Sequence, residues 1–251
     1  QFNPRGIQSR ISGAKNHLVS PEMYEEIAKD PFEQRTATVF KAYQERLFKN
    51  NAMDFDDLLL KPIELFQRND RILEKYQHRF QHLLVDEYQD TNRAQYVLIT
   101  MMARQFRNIC VVGDDAQSIY AFRGADIKNI LDFEKEYPDC QVFRLEQNYR
   151  STKTILAAAD SVIKNNRNQI HKTLWTSNPQ GELITVIEAE DDKDEGMKIV
   201  SHIQEQCNRL KLDLKDFAVL YRTNAQSRSL EDGLRRNGIP YVIVGGVEFY
   251  K

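Results

Sequence analysis

An α/β fold with mostly parallel sheets is what this sequence predicts, on three observations. Short apolar runs alternate with longer stretches of helical periodicity from about residue 83 onward. Two of those runs end at carboxylates, residues 83–85 directly and residues 109–112 after Gly113. Helix-capping residues then follow each of the two turns. Before them, residues 20–80 contain no glycine and read as helical throughout, a helical N-terminal segment ahead of the α/β part.

Composition narrows the class. A chain of 251 residues can build one large or two ordinary domains with real cores. Net charge is −2, so any contact with nucleic acid has to come from a local patch. Cys110, Cys140 and Cys207 are odd in number and far apart, which argues against a disulfide framework or a zinc site and fits a reducing, cytoplasmic setting. No apolar run approaches the roughly 20 residues that span a membrane, and Gln1 opens no signal-peptide pattern. The chain starts mid-pattern and stops at Phe249-Tyr250-Lys251 just after a strand-like run, and so reads as a piece of something longer.

In the helical segment, Pro21 after Ser20 is a good start, with Glu22, Glu25 and Glu26 in the first turns. Val39, Phe40, Tyr43 and Leu47 recur at helical spacing. MDFDDLLL (53–60) holds Phe55 between carboxylates, either as a core aromatic at a helix start or as an exposed contact. The central run, HLLVDEYQD (82–90), suits a buried parallel strand. Ligands of such sheets bind beyond the strands' carboxyl ends, where Asp86 and Glu87 stand. The plainer reading is an acidic turn after a core strand.

Asp90 or Thr91 can cap a helix bearing Ala94, Val97, Leu98, Met101 and Met102. NICVVGD (108–114) repeats the strand-to-carboxylate pattern. The loop from Asp115 to Ala125 mixes Gln117, Tyr120, Phe122 and Arg123. Aromatics interleaved with a cation suit single-stranded nucleic acid, and equally a loop whose rings tuck under a domain. A helix from Asp126 runs to Pro138, then a strand at residues 142–145. Tyr149 and Arg150 fall at a strand-to-helix turn, with Ser151 as the expected cap, a favourable place for phosphate. Residues 164–182 are polar, with Trp175 as a lone anchor, and read as a long connection. Strands are expected at residues 183–188, 217–221 and 241–244, the last closed by Gly245-Gly246. Between them lie an acidic run read as a solvated loop (188–195), a helix with Met197, Val200, Ile203, Cys207 and Leu210, and a helix from Ser227 to Gly238.

Four strings occur in order: MDFDDLLL, LLVDEYQDTNRAQY, VVGDDAQSIYAFRGADI and LEQNYRSTKTIL, followed by FAVLYRTNAQSR and IPYVIVGG. Together they closely resemble the UvrD/Rep/PcrA family of superfamily 1 DNA helicases, over nearly the whole chain. The resemblance implies RecA-like parallel-sheet motor domains of the P-loop NTPase type. It implies that residues 1–50 end a helical insertion of the first motor domain, 51–145 are the C-terminal part of that domain, and 146–251 are the first half of a second. It implies an enzyme that uses ATP and Mg²⁺ to move 3′→5′ along single-stranded DNA and to open single-strand/duplex junctions in repair or replication.

Residue roles follow from the same resemblance. Asp86 matches the Mg²⁺ ligand and Glu87 the base that orients and deprotonates water. Gln117 matches the γ-phosphate sensor, Arg150 the arginine finger and Tyr149 the aromatic that stacks on adenine. Phe55, Tyr120, Phe122 and Arg123 match residues that hold single-stranded DNA, and Arg222 and Asn224 match backbone contacts. Three positions depart from the pattern: Phe122 where relatives usually carry Trp, Ala116 where an acidic residue is common, and Glu248 where many carry a basic one. No GxxxxGK[ST] occurs in the sequence, so these 251 residues alone are not expected to hydrolyse ATP. Two alternatives remain, a helicase–nuclease subunit of the RecB/AddA kind and a non-catalytic DNA-binding module. Contiguous LLVDEYQDTN and LEQNYRST favour the UvrD type over the first; intact Asp86, Glu87, Gln117 and Arg150 argue against the second.

Overall fold

Each of the first three helices begins at a proline behind a capping side chain, the place where a missing N–H costs nothing. In this computed structural model, which describes residues 3–166 and 169–244, they are α1 (Pro4–Asn16), α2 (Pro21–Ile27) and α3 (Pro31–Lys49). Asn3, Ser20 and Asp30 accept the orphan N–H groups of Arg5, Met23 and Glu33. Their apolar stripes meet in one core of Ile7, Ile11, Ala14, Tyr24, Ala37 and Phe40. Residue periodicity gave no helix before Ser20, where only the resemblance implied a helical insertion; α1 lies there. Helices α4 (Asp57–Arg68) and α5 (Asp70–Arg79) complete the helical segment.

Strand β1 (Leu83–Val85) pairs in parallel with β2 (Ile109–Val111), Leu84 opposite Cys110. The crossover is α6 (Arg93–Ala103), capped by Asn92 in a reciprocal box with Gln95 rather than by Asp90 or Thr91. The helix expected from Asp126 is two single turns, α7 (Lys128–Leu131) and α8 (Phe133–Glu136), broken at Asp132. Thr152, not Ser151, precedes α9 (Lys153–Ile163).

The chain divides into two compact units, Gln1–Gln180 and Gly181–Lys251. In the second, α10 (Asp192–Leu210) lies against α11 (Ser227–Arg236). They meet at glycines: a Cβ on Gly196 would come within 2.7 Å of the Ser229 carbonyl oxygen. The acidic run read as a loop opens this helix instead. Asp191 caps it by accepting from the N–H groups of Lys193 and Asp194, and its first-turn carboxylates face the positive end of the helix dipole.

The sheet is smaller than expected. Among the described residues only β1 and β2 form a ladder. Residues 142–145, 183–188, 217–221 and 241–244 have strand-like side chains but are paired in no ladder among the described residues, so they form no strands. Their apolar residues stand open, Leu220 at 89% and Val242 at 88% exposure. A strand needs a partner for its N–H and C=O groups as well as suitable residues. Gly245-Gly246, Glu248 and the last three residues lie outside the described residues. Among those described, no helix is long and apolar enough to cross a membrane, and the three cysteines are unpaired.

Candidate functional site

At the end of β1 the chain turns sharply, because Glu87 adopts the left-handed conformation (φ 51°, ψ 42°). For a residue with a Cβ that costs about 1–3 kcal/mol and needs support from its surroundings. The support is local. The Glu87 N–H donates to Asp86 Oδ1 at 2.9 Å, and the Tyr88 N–H donates to the Val112 carbonyl at 3.0 Å. Tyr88 is buried edge-on against Phe133. Asp86 and Glu87 are thereby left exposed beyond the strand end.

Gln89 is buried and uses both ends of its amide. Nε2 donates to Glu87 Oε2 at 2.8 Å, and Oε1 accepts the Asp114 N–H at 3.0 Å. That approach requires Gly113, where a Cβ would sit 2.5 Å from Gln89 Oε1. Asp114 then caps the turn Asp115–Gln117: Oδ1 accepts the Ala116 N–H and Oδ2 accepts Gln117 Nε2 at 2.8 Å. One hydrogen-bonded chain therefore runs from Glu87 through Gln89 and Asp114 to Gln117. Sequence reasoning missed Gln89 and Asp114, since neither residue type signals a partner 25 residues away.

The polar connection also reaches this loop. Lys172 Nζ donates to Asp114 Oδ1 and, at 3.1 Å, to Asp115 Oδ1. The Ile170 N–H donates to Asp115 Oδ2 at 2.7 Å. Burial works to raise the Asp114 carboxyl, but hydrogen bonds from Lys172 and Gln117 outweigh it and hold it below the usual carboxylate value. Burial works to lower the Lys172 ammonium, and the two carboxylates outweigh it, so it is raised.

Three residues beyond Gln117, Tyr120 and Phe122 lie with ring centroids 5.9 Å apart. The Arg123 guanidinium sits 5.1 Å from the Tyr120 centroid and 5.6 Å from that of Phe122. Phe122 is 72% exposed, so the rings are not tucked beneath the unit. Phe55 is 90% exposed and is not a core residue. Lys15, buried to 1%, holds its neighbours down, donating to Asp54 at 2.7 Å and Asp57 at 2.9 Å. Tyr43 also donates to Asp54; burial, then that carboxylate, push its phenol up to about 12. Asn16 ties the two aromatic loops together. Its Nδ2 donates to Asp56 and its Oδ1 accepts from Asn92, while Gly124 packs against both asparagines.

Tyr149 is 77% exposed and Arg150 is exposed, on a turn built around Asn148. Asn148 Oδ1 accepts the N–H groups of Arg150 and Ser151. Among the described residues the Arg150 side chain has no hydrogen-bond or ion-pair partner. Trp175 anchors this turn through its backbone, donating to the Glu146 carbonyl and accepting from the Asn148 N–H, while its ring is half exposed. Arg222 and Asn224 lie in the second unit, exposed on a turn closed by Gln226, which accepts the N–H groups of Arg222 and Thr223.

No group of three or more His, Cys, Asp or Glu side chains among the described residues could hold a metal alone. Asp86 has one carboxylate oxygen outside its own turn, a hard donor that fits a Mg²⁺ arriving with nucleotide phosphates and water.

Comparison with known proteins gives a consistent result. Residues 1–138 match the UvrD/REP helicase N-terminal domain, and residues 143–251 match the UvrD-like helicase C-terminal domain. The chain is 50% identical over 250 residues to proteins named ATP-dependent DNA helicase PcrA from Bacillus subtilis (strain 168) and Staphylococcus aureus (strain Mu50). All of this chain is covered, and 34% of each relative, so it spans about a third of their length.

Proposed function

The chain belongs to the UvrD/Rep helicase family, and from that premise we propose that it is the central part of an ATP-dependent DNA helicase. The whole protein moves 3′→5′ along single-stranded DNA and opens single-strand/duplex junctions, working in the cytoplasm on the chromosome in repair or replication. The observation that carries this reading is the hydrogen-bonded chain Glu87–Gln89–Asp114–Gln117, with an open aromatic and cationic cluster starting three residues further on. A change at the phosphate end has a short physical path to a surface suited to bases.

The fold assigned is two RecA-like motor domains, with residues 1–50 ending an insertion, 51–145 in the first domain and 146–251 in the second. Asp86 holds Mg²⁺, which neutralises phosphate charge. Glu87 orients water and takes its proton, and Gln117 leaves Asp114 to meet the γ-phosphate. Arg150 neutralises charge as the phosphoryl group transfers, a contribution of roughly 10³–10⁵ in rate for such fingers. Tyr149 stacks on adenine. Phe55, Tyr120, Phe122 and Arg123 hold the strand, at about 1–3 kcal/mol per stacked base. Arg222 and Asn224 contact its backbone.

Duplexes with a 3′ or a 5′ single-stranded tail, offered to the full-length protein with ATP, test the proposal. Unwinding of the 3′-tailed substrate alone is expected. Single-strand binding without ATP turnover or unwinding identifies a non-catalytic module instead.

A further inference from the structure

The cation at the Gln117 loop comes from a stretch whose sequence shows no motif. Asp114 and Asp115 are adjacent carboxylates; the Asp115 side chain is 3% exposed and that of Asp114 29%. Two like charges so placed need compensation, the more so beside a bound polyphosphate. Lys172 supplies it from 58 residues away, and the Ile170 N–H on Asp115 fixes where it arrives. The same stretch then runs to the Arg150 turn. The Thr173 N–H donates to Glu146 Oε1 at 3.1 Å, and Trp175 pairs by backbone with Glu146 and Asn148. Residues 170–175 are thus fastened at one end to the Gln117 loop and at the other to the turn bearing Tyr149 and Arg150.

We propose that Lys172 is a positioning residue, the anchor of a strut that sets Gln117 and Arg150 in a common register. The proposal rests on the roles given to Gln117 and Arg150 above. Asp114 Oδ2 grips the Gln117 amide, and a carboxylate already shared with an ammonium grips it less tightly than a bare one. Lys172 therefore governs how readily Gln117 is released. Without it, only the Ile170 N–H keeps the strut on the Gln117 loop, and Asp114 retains the sensor.

The test uses the full-length protein, with DNA-stimulated ATP hydrolysis and thermal melting measured for Lys172→Met, Lys172→Arg and the pair Asp114→Asn/Lys172→Met. Lys172→Met is expected to lower kcat about tenfold, a coupling ordinary within one hydrogen-bond network, with KM for ATP within about twofold. Lys172→Arg restores most of kcat, and Asp114→Asn in the Met background recovers part of it, because the charge to be compensated is gone. Should the Met variant not fold, Lys172→Gln carries the same comparison. Unchanged kcat overturns the proposal. So does a loss that Arg does not rescue and that follows a fall in melting temperature. Absence of DNA-stimulated hydrolysis in the unsubstituted protein is a different failure, which removes the helicase reading and the strut with it.

Discussion

Glu87 combines a left-handed backbone with an exposed carboxylate, so its stability and activity requirements oppose each other. Glu87→Gly relieves the backbone but removes the acceptor of buried Gln89 Nε2, so stability in urea denaturation is expected to change by less than about 1 kcal/mol while hydrolysis in the full-length protein is abolished. A variant that loses both has instead lost the turn. Gln89→Leu tests the next link. It leaves the Asp114 N–H without its acceptor in a buried setting, costing about 1–3 kcal/mol, and frees Glu87. Lower stability and lower kcat are both expected. The Asp114–Lys172 pair also has a pH signature. Asp114 is depressed below its ordinary 3.8, so its contribution is present above that value and is lost as pH falls through the lower folded value. Lys172 is raised above 10.5, so its contribution is present below that value and is lost as pH rises through the higher folded one. The stability difference between the unsubstituted protein and Asp114→Asn should be flat between those limits and shrink in acid. Of these residues, Asp86, Glu87 and Gln117 were legible from motif strings. Gln89, Asp114 and Lys172 were not, because they act through partners distant in sequence.

Among elements, α1 was the least legible and has the clearest consequence. Its apolar stripe, Ile7, Ile11 and Ala14, is short, and the residues that matter most for the candidate site are Lys15 and Asn16 at its end. Lys15→Met strands two carboxylates in a buried site, and a loss of about 3–5 kcal/mol is expected in urea denaturation. Single-strand affinity of the full-length protein should fall with it if Phe55 is presented by this cluster; unchanged affinity removes Phe55 from the interface. The start of α2 was readable because Ser20 and Pro21 are adjacent in sequence, and the body of α3 from the spacing of Phe40, Tyr43 and Leu47. The strands were readable only as composition. Residues 217–221 and 241–244 have the right side chains, yet pairing depends on a neighbour that no local pattern specifies. The acidic run was misread because carboxylates before a helix and carboxylates in a loop share one composition.

At the scale of the molecule, the chain forms two compact units and spans about a third of its relatives' length. It leaves large apolar side chains open on segments suited to sheet, and its sequence contains no phosphate-cradling loop. The isolated 251-residue chain is therefore expected to bind a hydrophobic dye and to hydrolyse no ATP. Both properties should reverse in the full-length protein. The proposed motor, driven by single-stranded DNA, uses Glu87, placed by Gln89, as its base. Its most direct measurement is ATP hydrolysis by the full-length protein and its Glu87→Gln variant, with and without single-stranded DNA. Stimulation by DNA is expected in the first. In the second, hydrolysis is expected to be lower by about 10²–10⁴, with ATP still bound. No stimulation in a folded protein that binds both ATP and DNA, or an unimpaired Glu87→Gln variant, contradicts this proposal.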